Sequence, residues 1–579
     1  MTAKKQTRKK NTAKDDTPAK KKTTTRKAGA SSPKTKRSSK TKRKPKTKAP
    51  AASNSKKKTG QPNAKATSGP RDSKHTKTTA KVKSKQGAAS KAERASRQKA
   101  RKKTKVVIVG AGPGGLTAGM LLASRGFQVE IYEKQKKVGG RNSSITAKKF
   151  KFDIGPTFLM LKPILDEVFA KAGVDIKKYL TFYELDPMYT LVFKDKTIKM
   201  SRKHKTTRKR IASLFPGQEA GFDKLLTREK KRYDLAYPCL QKDYSRLYKL
   251  FDPHLIKAMP ALSLPNTMHS ELGKYFSHED LKMAFTFQSK YLGMSPWDCP
   301  AAFMIIPYIE HNFGIQHVKG GLSEISEAMK KVIEKKGGKV HLGVDVKSVD
   351  KDTGTITLAN KKTVQADKLI LNADVGHAFK HLTGHQDLTN KKFSCSTFML
   401  YLGIDAPLKL DHHTVYFSDD YKAFVDKVFK TKELTDDISF YVRNASKTDP
   451  TVAPKGKSNI YVLVPVPNNK SGIDWKKEKK SYRELVFRRL EEKTKLKLRS
   501  RVIYEKIITP ADWEKEYNVF LGATFNLAHN YTQMLYYRPH NQITKKTYLV
   551  GGGTHPGSGL PTIYESGRIA ADLISTEQG

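Results

Sequence analysis

This 579-residue sequence predicts an α/β fold into which a mixed α+β domain is inserted, preceded by a disordered amino-terminal tail. Three observations carry the prediction. A strand, a glycine turn, a helix and a second strand follow one another from Lys105. A glycine-rich loop, "GGGTHPGSGLPTIYESG" (551–567), precedes a final helical pattern. The first 104 residues have a composition of another kind.

Residues 1–104 contain 37 Lys or Arg against four acids, Asp15, Asp16, Asp72 and Glu93. They hold +33 of the formal charge of +59, leaving +26 for residues 105–579. Val82 is the only branched aliphatic in the tail, and there is no aromatic. Nothing there offsets the entropy of ordering the chain, so disorder is expected. "TKRSSKTKRKPKTKAP" (35–50) resembles a linker-histone tail. Such a segment binds nucleic-acid phosphates non-specifically by counterion release, or anionic lipid. Without aromatics it offers no stacking platform for bases. A nucleic-acid-binding protein is therefore the reading from a different class, and the tail is treated as an accessory.

Three cysteines, Cys239, Cys299 and Cys395, are far apart and form no paired motif, so a reducing compartment is expected. No run of 18 apolar residues spans a bilayer, and no apolar segment near Met1 marks a secretory signal. His412 and His413 have no third ligand at recognisable spacing, so no metal site is expected. Trp297, Trp475 and Trp513 read as packing residues.

The folded part opens with "KVVIVGAGPGGLTAGMLLASRGFQVEIYEK". Val106–Val109 is the apolar, β-branched run of a strand buried on both faces. Gly110, Gly112 and Gly115 form G-x-G-x-x-G, a helical pattern runs to Gly126, and Val129–Tyr132 is a second strand ending in Glu133. This is the Rossmann-type dinucleotide fingerprint in its full context. Gly110 permits the turn, Gly112 admits the pyrophosphate, and Gly115 lets helix and strand pack closely. Glu133 is placed to accept hydrogen bonds from ribose hydroxyls, which disfavours a 2′-phosphate and hence NADP. "GGR" (Gly139, Gly140, Arg141) follows and resembles the second part of the flavoprotein fingerprint of the amine oxidase and phytoene desaturase superfamily. That resemblance selects FAD over NAD.

At the other end, Tyr548–Val550 is strand-like and Pro561 suits the first turn of a helix. In the flavoproteins that the chain resembles, this helix aims its N-terminus, roughly half a positive charge, at the flavin. The resemblance places Gly553, Thr554, His555, Gly557, Leu560 and Pro561 beside the cofactor, with His555 touching the flavin or its ribityl chain.

"THPGSGLP" (554–561) resembles the signature loop of bacterial-type phytoene desaturases and related carotenoid oxidoreductases. "FDIGPT" (152–157), "QSKYLGMSPW" (288–297), "KGGLSEISEAMKKV" (319–332), "STFMLYLGID" (396–405) and "FNLAHNYTQMLYYRPHN" (525–541) fit the same family in order. One departure is "GIQHVKGG" (314–321), where the family more often has an aromatic and a proline before the glycines.

The resemblance implies an FAD domain in three segments (105–190, 314–380 and 526–579) and a substrate domain in two (191–313 and 381–525). Val346 of "KVHLGVDVKSVD" (339–350), which alternates like one strand, would meet the adenine through its backbone. The helical portion (191–313) includes "CPAAFMIIPYIE" (299–310), whose apolar side chains are expected mostly in the core, with membrane contact as the alternative. The implied activity is desaturation of a polyene hydrocarbon: a hydride passes from an allylic carbon to flavin N5 and the neighbouring carbon loses a proton. Oxygen or a quinone would reoxidise the flavin. No catalytic base is identified; Arg141, Arg538 and His555 are the candidate polar groups. A carotenoid isomerase using reduced FAD and a terminal-methyl oxidase remain alternatives, whereas the signature loop argues against an amine oxidase. A substrate dissolved in lipid implies peripheral association with the cytoplasmic face of a membrane.

Overall fold

The computed structural model describes residues 103–384, 388 and 390–577. The expectations for the basic tail lie outside the described residues.

Five parallel strands form one sheet in the order Thr547–Leu549, Lys368–Leu371, Lys105–Val109, Gln128–Glu133 and Lys339–Leu342. Val106, Val107 and Ile108 are fully buried, as expected of a strand covered on both faces. The helix Pro113–Ser124 crosses between the first two strands, and Gly119 is where it meets the sheet: a Cβ there would stand 2.9 Å from the Ile131 side chain. The last helix, Leu560–Thr576, packs against the first, with Gly567 over Thr117.

A second sheet has seven strands in the order Val502–Ile508, Ser396–Ile404, Ser458–Val466, Phe440–Asn444, His413–Tyr416, Tyr189–Val192 and Thr197–Met200. It is antiparallel except where His413–Tyr416 runs parallel to Tyr189–Val192. The boundary expected between residues 190 and 191 therefore falls inside a strand. Tyr189–Val192 belongs to the seven-stranded sheet because it forms a hairpin with Thr197–Met200.

Residues 339–350 also differ from the single strand expected. Lys339–Leu342 completes the parallel sheet, whereas Val346–Asp350 joins a separate antiparallel sheet with Thr355–Leu358 and Thr363–Gln365. Gly343, at φ +72°, lets the chain turn between them. The helical segment comprises Glu219–Leu240, Ile305–Phe313 and shorter pieces between them. Within 299–310, Cys299, Met304, Tyr308, Ile309 and Glu310 are buried.

Candidate active site

A cavity of about 420 Å³ lies where the two large sheets meet. Its polar wall comes from the parallel sheet and the segments beside it: Gly110, Gly112 and Glu133, the turn residues Gly140 and Arg141, and Val346 of the three-stranded sheet all line it. Gly110 takes φ +97°, which a side chain would strain. Gly112 is extended (φ −76°, ψ 172°), so its role is spatial rather than conformational. Gly115 stands behind the turn; a Cβ there would lie 2.5 Å from the Gly110 carbonyl oxygen. The segment Gly551–Gly553 and the helix start at Gly559, Leu560 and Pro561 close the same wall. Two helix N-termini thus open onto one space, an electrostatic setting that favours negative charge.

Glu133 is buried, and its carboxylate accepts from the Ala111 N–H (2.8 Å) and the Gln135 N–H (2.9 Å). Burial pushes its carboxyl up against those two bonds, which favour the anion. Asn372, which sequence reasoning missed, donates from Nδ2 to the Gly110 carbonyl (3.0 Å) and so braces the glycine turn from the neighbouring strand. Asp374 was also missed. It sits 3.5 Å from Arg141 Nη1 and accepts from Asn526 Nδ2 at 2.6 Å. Burial pushes its carboxyl up as well, opposed by Arg141 and by backbone N–H groups.

The opposite wall is one face of the seven-stranded sheet. Alternate residues project into the cavity, among them Met399, Val415, Tyr441, Tyr461 and Leu463, as a period of two requires. Phe158, Phe287 and Tyr291 extend this wall. Behind it Tyr441 Oη stands 2.7 Å from His413 Nδ1 and 2.9 Å from Thr157 Oγ1. His412 meets Arg443 Nε, while Arg443 bridges Asp153 (2.7 Å) and His317 (3.0 Å), and His317 pairs with Asp449 (3.0 Å). The unusual histidine in "GIQHVKGG" is thus a member of a buried charged network. Among the described residues, no three His, Cys, Asp or Glu side chains are grouped to hold a metal.

Besides Gly115, four sequence-predicted residues, Arg538, Thr554, His555 and Gly557, stand away from the cavity lining. His555 is buried, and its Nε2 donates to the Lys242 carbonyl at 2.8 Å, with Tyr244 edge-on to its ring. Burial pushes its pKa down to about 4, so it is neutral at pH 7. The loop turns its ring back onto the helical segment and away from the cavity lining, whereas the resemblance implied contact with the flavin. Thr554 is buried, and its carbonyl accepts from Arg538 Nε. Arg538 is likewise buried, donating to the Thr554, Gly552, Leu527 and Gln533 carbonyls at 2.7–3.5 Å. It shapes the loop from behind and does not face the reacting space. Gly557 packs where a Cβ would lie 2.7 Å from His529 Nε2, which accepts the Ser558 N–H at 3.0 Å. His529 and Asn372 carry no local motif; only long-range contacts reveal them.

A wall of glycine turns and two helix N-termini faces an apolar wall, and comparison with known proteins identifies the class as flavin-dependent oxidoreductase. Residues 113–575 match the family described as flavin containing amine oxidoreductase, and the chain belongs to that family. On its carotenoid-desaturase side, the chain is 47% identical over 484 residues to a 4,4'-diapophytoene desaturase (4,4'-diapolycopene-forming) from Methylomonas sp, covering 81% of this chain and 95% of that one. It is 33% identical to a zeta-carotene-forming phytoene desaturase from Myxococcus xanthus, covering 82% and 94%. Among solved structures, an oxidoreductase from Methanosarcina mazei shares the fold, with a TM-score of 0.54 at 17% identity over 82% of this chain and all of that one.

Proposed function

We propose that the protein is an FAD-dependent carotenoid desaturase that introduces trans double bonds into a linear polyene, with 4,4'-diapophytoene as the first substrate to test. The observation that carries this reading is the two-walled cavity, together with 47% identity to a diapophytoene desaturase. The chain's residues suit FAD. Glu133 keeps lone pairs for ribose hydroxyls, Gly112 and Gly140 leave room for a pyrophosphate, and Thr524 Oγ1 is a buried, unpartnered hydroxyl on the cavity wall. When bound, FAD supplies the two-electron oxidant.

The protein's part is placement. Gly110, Gly112, Glu133, Gly140 and Val346 hold the nucleotide end. Gly553, Leu560 and Pro561 bring positive helix potential to the cofactor, while Arg141, fixed by Asp374 and the Thr524 carbonyl, supplies a cation beside it. The sheet face from Met399 to Leu463 aligns an unbranched hydrocarbon by shape, since that substrate offers no hydrogen bond, and excludes water. On this reading the parallel-sheet segments form the FAD domain and the seven-stranded sheet with the helical segment forms the substrate domain. An external acceptor, oxygen or a quinone, completes turnover, and a membrane is the source of substrate.

The test is expression in cells that accumulate 4,4'-diapophytoene, with a parallel strain that accumulates phytoene. Pigment spectra shifted to longer wavelength, absent with an empty vector, are expected. An isomerised product with unchanged hydrogen content, or an oxygenated one, would replace the desaturase reading with one of its family alternatives.

A further inference from the structure

We propose that the cavity carries a subsite for an oxygenated chain terminus, in which a carbonyl oxygen at the end of an apolar polyene accepts hydrogen bonds from Lys290 Nζ and Tyr421 Oη. Both residues line the cavity. Both atoms are buried, and neither has a hydrogen-bond partner among the described residues. Tyr441, Tyr461 and Trp513, which line the same cavity, follow the ordinary rule that buried polar groups are paired. Tyr441 Oη meets His413 and Thr157, Tyr461 Oη donates to the Gly155 carbonyl (2.9 Å), and Trp513 Nε1 donates to Thr397 Oγ1 (3.0 Å). An amine and a hydroxyl left open cost desolvation that contact with a hydrocarbon cannot return.

Lys290 stands on the short turn Phe287–Leu292, within "QSKYLGMSPW", and Tyr421 opens the helix Tyr421–Asp426. The amine lies 5.3 Å from the centre of the Tyr421 ring, which bears the second donor, and 4.7 Å from the centre of the Phe429 ring. The ionisable groups that act on it are the Cys299 and Cys395 thiols, both pushed up by burial and therefore neutral. Burial pushes the amine itself down to about 8, so at pH 7 it is still mostly protonated. It is then a cationic donor without an acceptor. Two ring faces return only part of the hydration that a buried ammonium loses.

An acceptor oxygen on the ligand completes the arrangement. A carbonyl oxygen has two lone pairs and takes one hydrogen bond from each donor. The carbon chain behind it suits Phe287, Val415 and Phe417, which line the same cavity. A terminal aldehyde and a terminal carboxylate share this chemistry, and the carboxylate adds charge to the bond with the amine. The protein thereby accepts a polyene already oxidised at one end, which a reaction that oxidises a terminal methyl must supply. This inference rests on the proposed function only in taking the cavity as a polyene site; binding is measured without turnover.

The experiment titrates the full-length flavin-loaded protein with three linear isoprenoids of one carbon skeleton, farnesene, farnesal and farnesoic acid, by calorimetry in a non-ionic detergent at pH 7. Affinity for each oxygenated probe is read as a ratio to that for farnesene, so that partition into detergent cancels between wild type and variant. In Lys290→Met the ratio is expected to fall about tenfold for farnesal, farnesoic acid or both, as loss of a charge-assisted hydrogen bond requires. The probe affected tells aldehyde from carboxylate. Flavin content is the control for folding. If Lys290→Met lacks flavin, Tyr421→Phe supplies the readout, with an expected fall of about threefold. Ratios for both probes that match the wild type, or a wild type that binds neither oxygenated probe, overturn the inference. Unchanged ratios with intact desaturation of 4,4'-diapophytoene remove the subsite and leave the desaturase reading standing. A lowered ratio without desaturation keeps the subsite and removes the desaturase reading.

Discussion

Single residues show how environment sets protonation and space in this protein. Glu310 is buried in the helical segment and accepts from Tyr189 Oη and Gln288 Nε2, both at 2.9 Å, while its Oε1 has no partner. Burial pushes its carboxyl from 4.5 up to about 7. The folded-state value lies above the unfolded one, so its stabilising contribution is full below about pH 4.5 and is lost as pH rises through about 7. Glu310→Gln should therefore lose less stability than the wild type between pH 5 and pH 8, by on the order of 2 kcal/mol. Thermal melts of both proteins across that window check it; parallel curves would show that Glu310 does not titrate there. Gly112 illustrates space instead. Its backbone is extended, so valine strains no dihedral, but a Cβ there would stand 2.8 Å from Asn372 Nδ2 and fill the approach to the turn. Gly112→Val should lose the flavin spectrum while keeping wild-type circular dichroism, and normal flavin content in that variant would contradict the assignment.

Elements depend on one another through groups that look unremarkable in isolation. The loop 551–559 keeps its shape because Arg538 spans four carbonyls and His529 receives the Ser558 N–H. Removing the guanidinium strands buried carbonyl oxygens, at about 1–3 kcal/mol for each left unsatisfied. Arg538→Met is expected to weaken flavin affinity at least tenfold by displacing the start of the last helix, measured by flavin fluorescence on titration. If affinity is unchanged and only the melting temperature falls, Arg538 stabilises the fold without shaping the cofactor wall.

The molecule as a whole joins a flavoenzyme to a strongly basic segment. Residues 1–104 carry +33 and almost no apolar side chain. Deleting them should leave flavin content and turnover on detergent-dispersed substrate intact while reducing binding to duplex DNA. The full-length protein should show a steep dependence of log K on log salt, with a slope set by the phosphates neutralised. Loss of turnover in the shortened protein would make the segment part of the enzyme.

The sequence by itself determined the parallel nucleotide-binding unit, its glycine turn, Glu133 and the family, because strand, turn and helix are encoded within some thirty consecutive residues. It also indicated that the closing loop returns to that unit, as the pairing of Thr547–Leu549 with Lys368–Leu371 bears out. Only the tertiary structure decided what His555 and Arg538 do, where Asn372 and Asp374 stand, and which face of the seven-stranded sheet borders the cavity. The reason is separation along the chain. His555 meets a carbonyl 313 residues away, and Arg443 meets an aspartate 290 residues away. No local pattern records such a partner. A histidine in a glycine loop has the same sequence whether it faces a flavin or anchors a neighbouring lobe, and packing alone makes the choice.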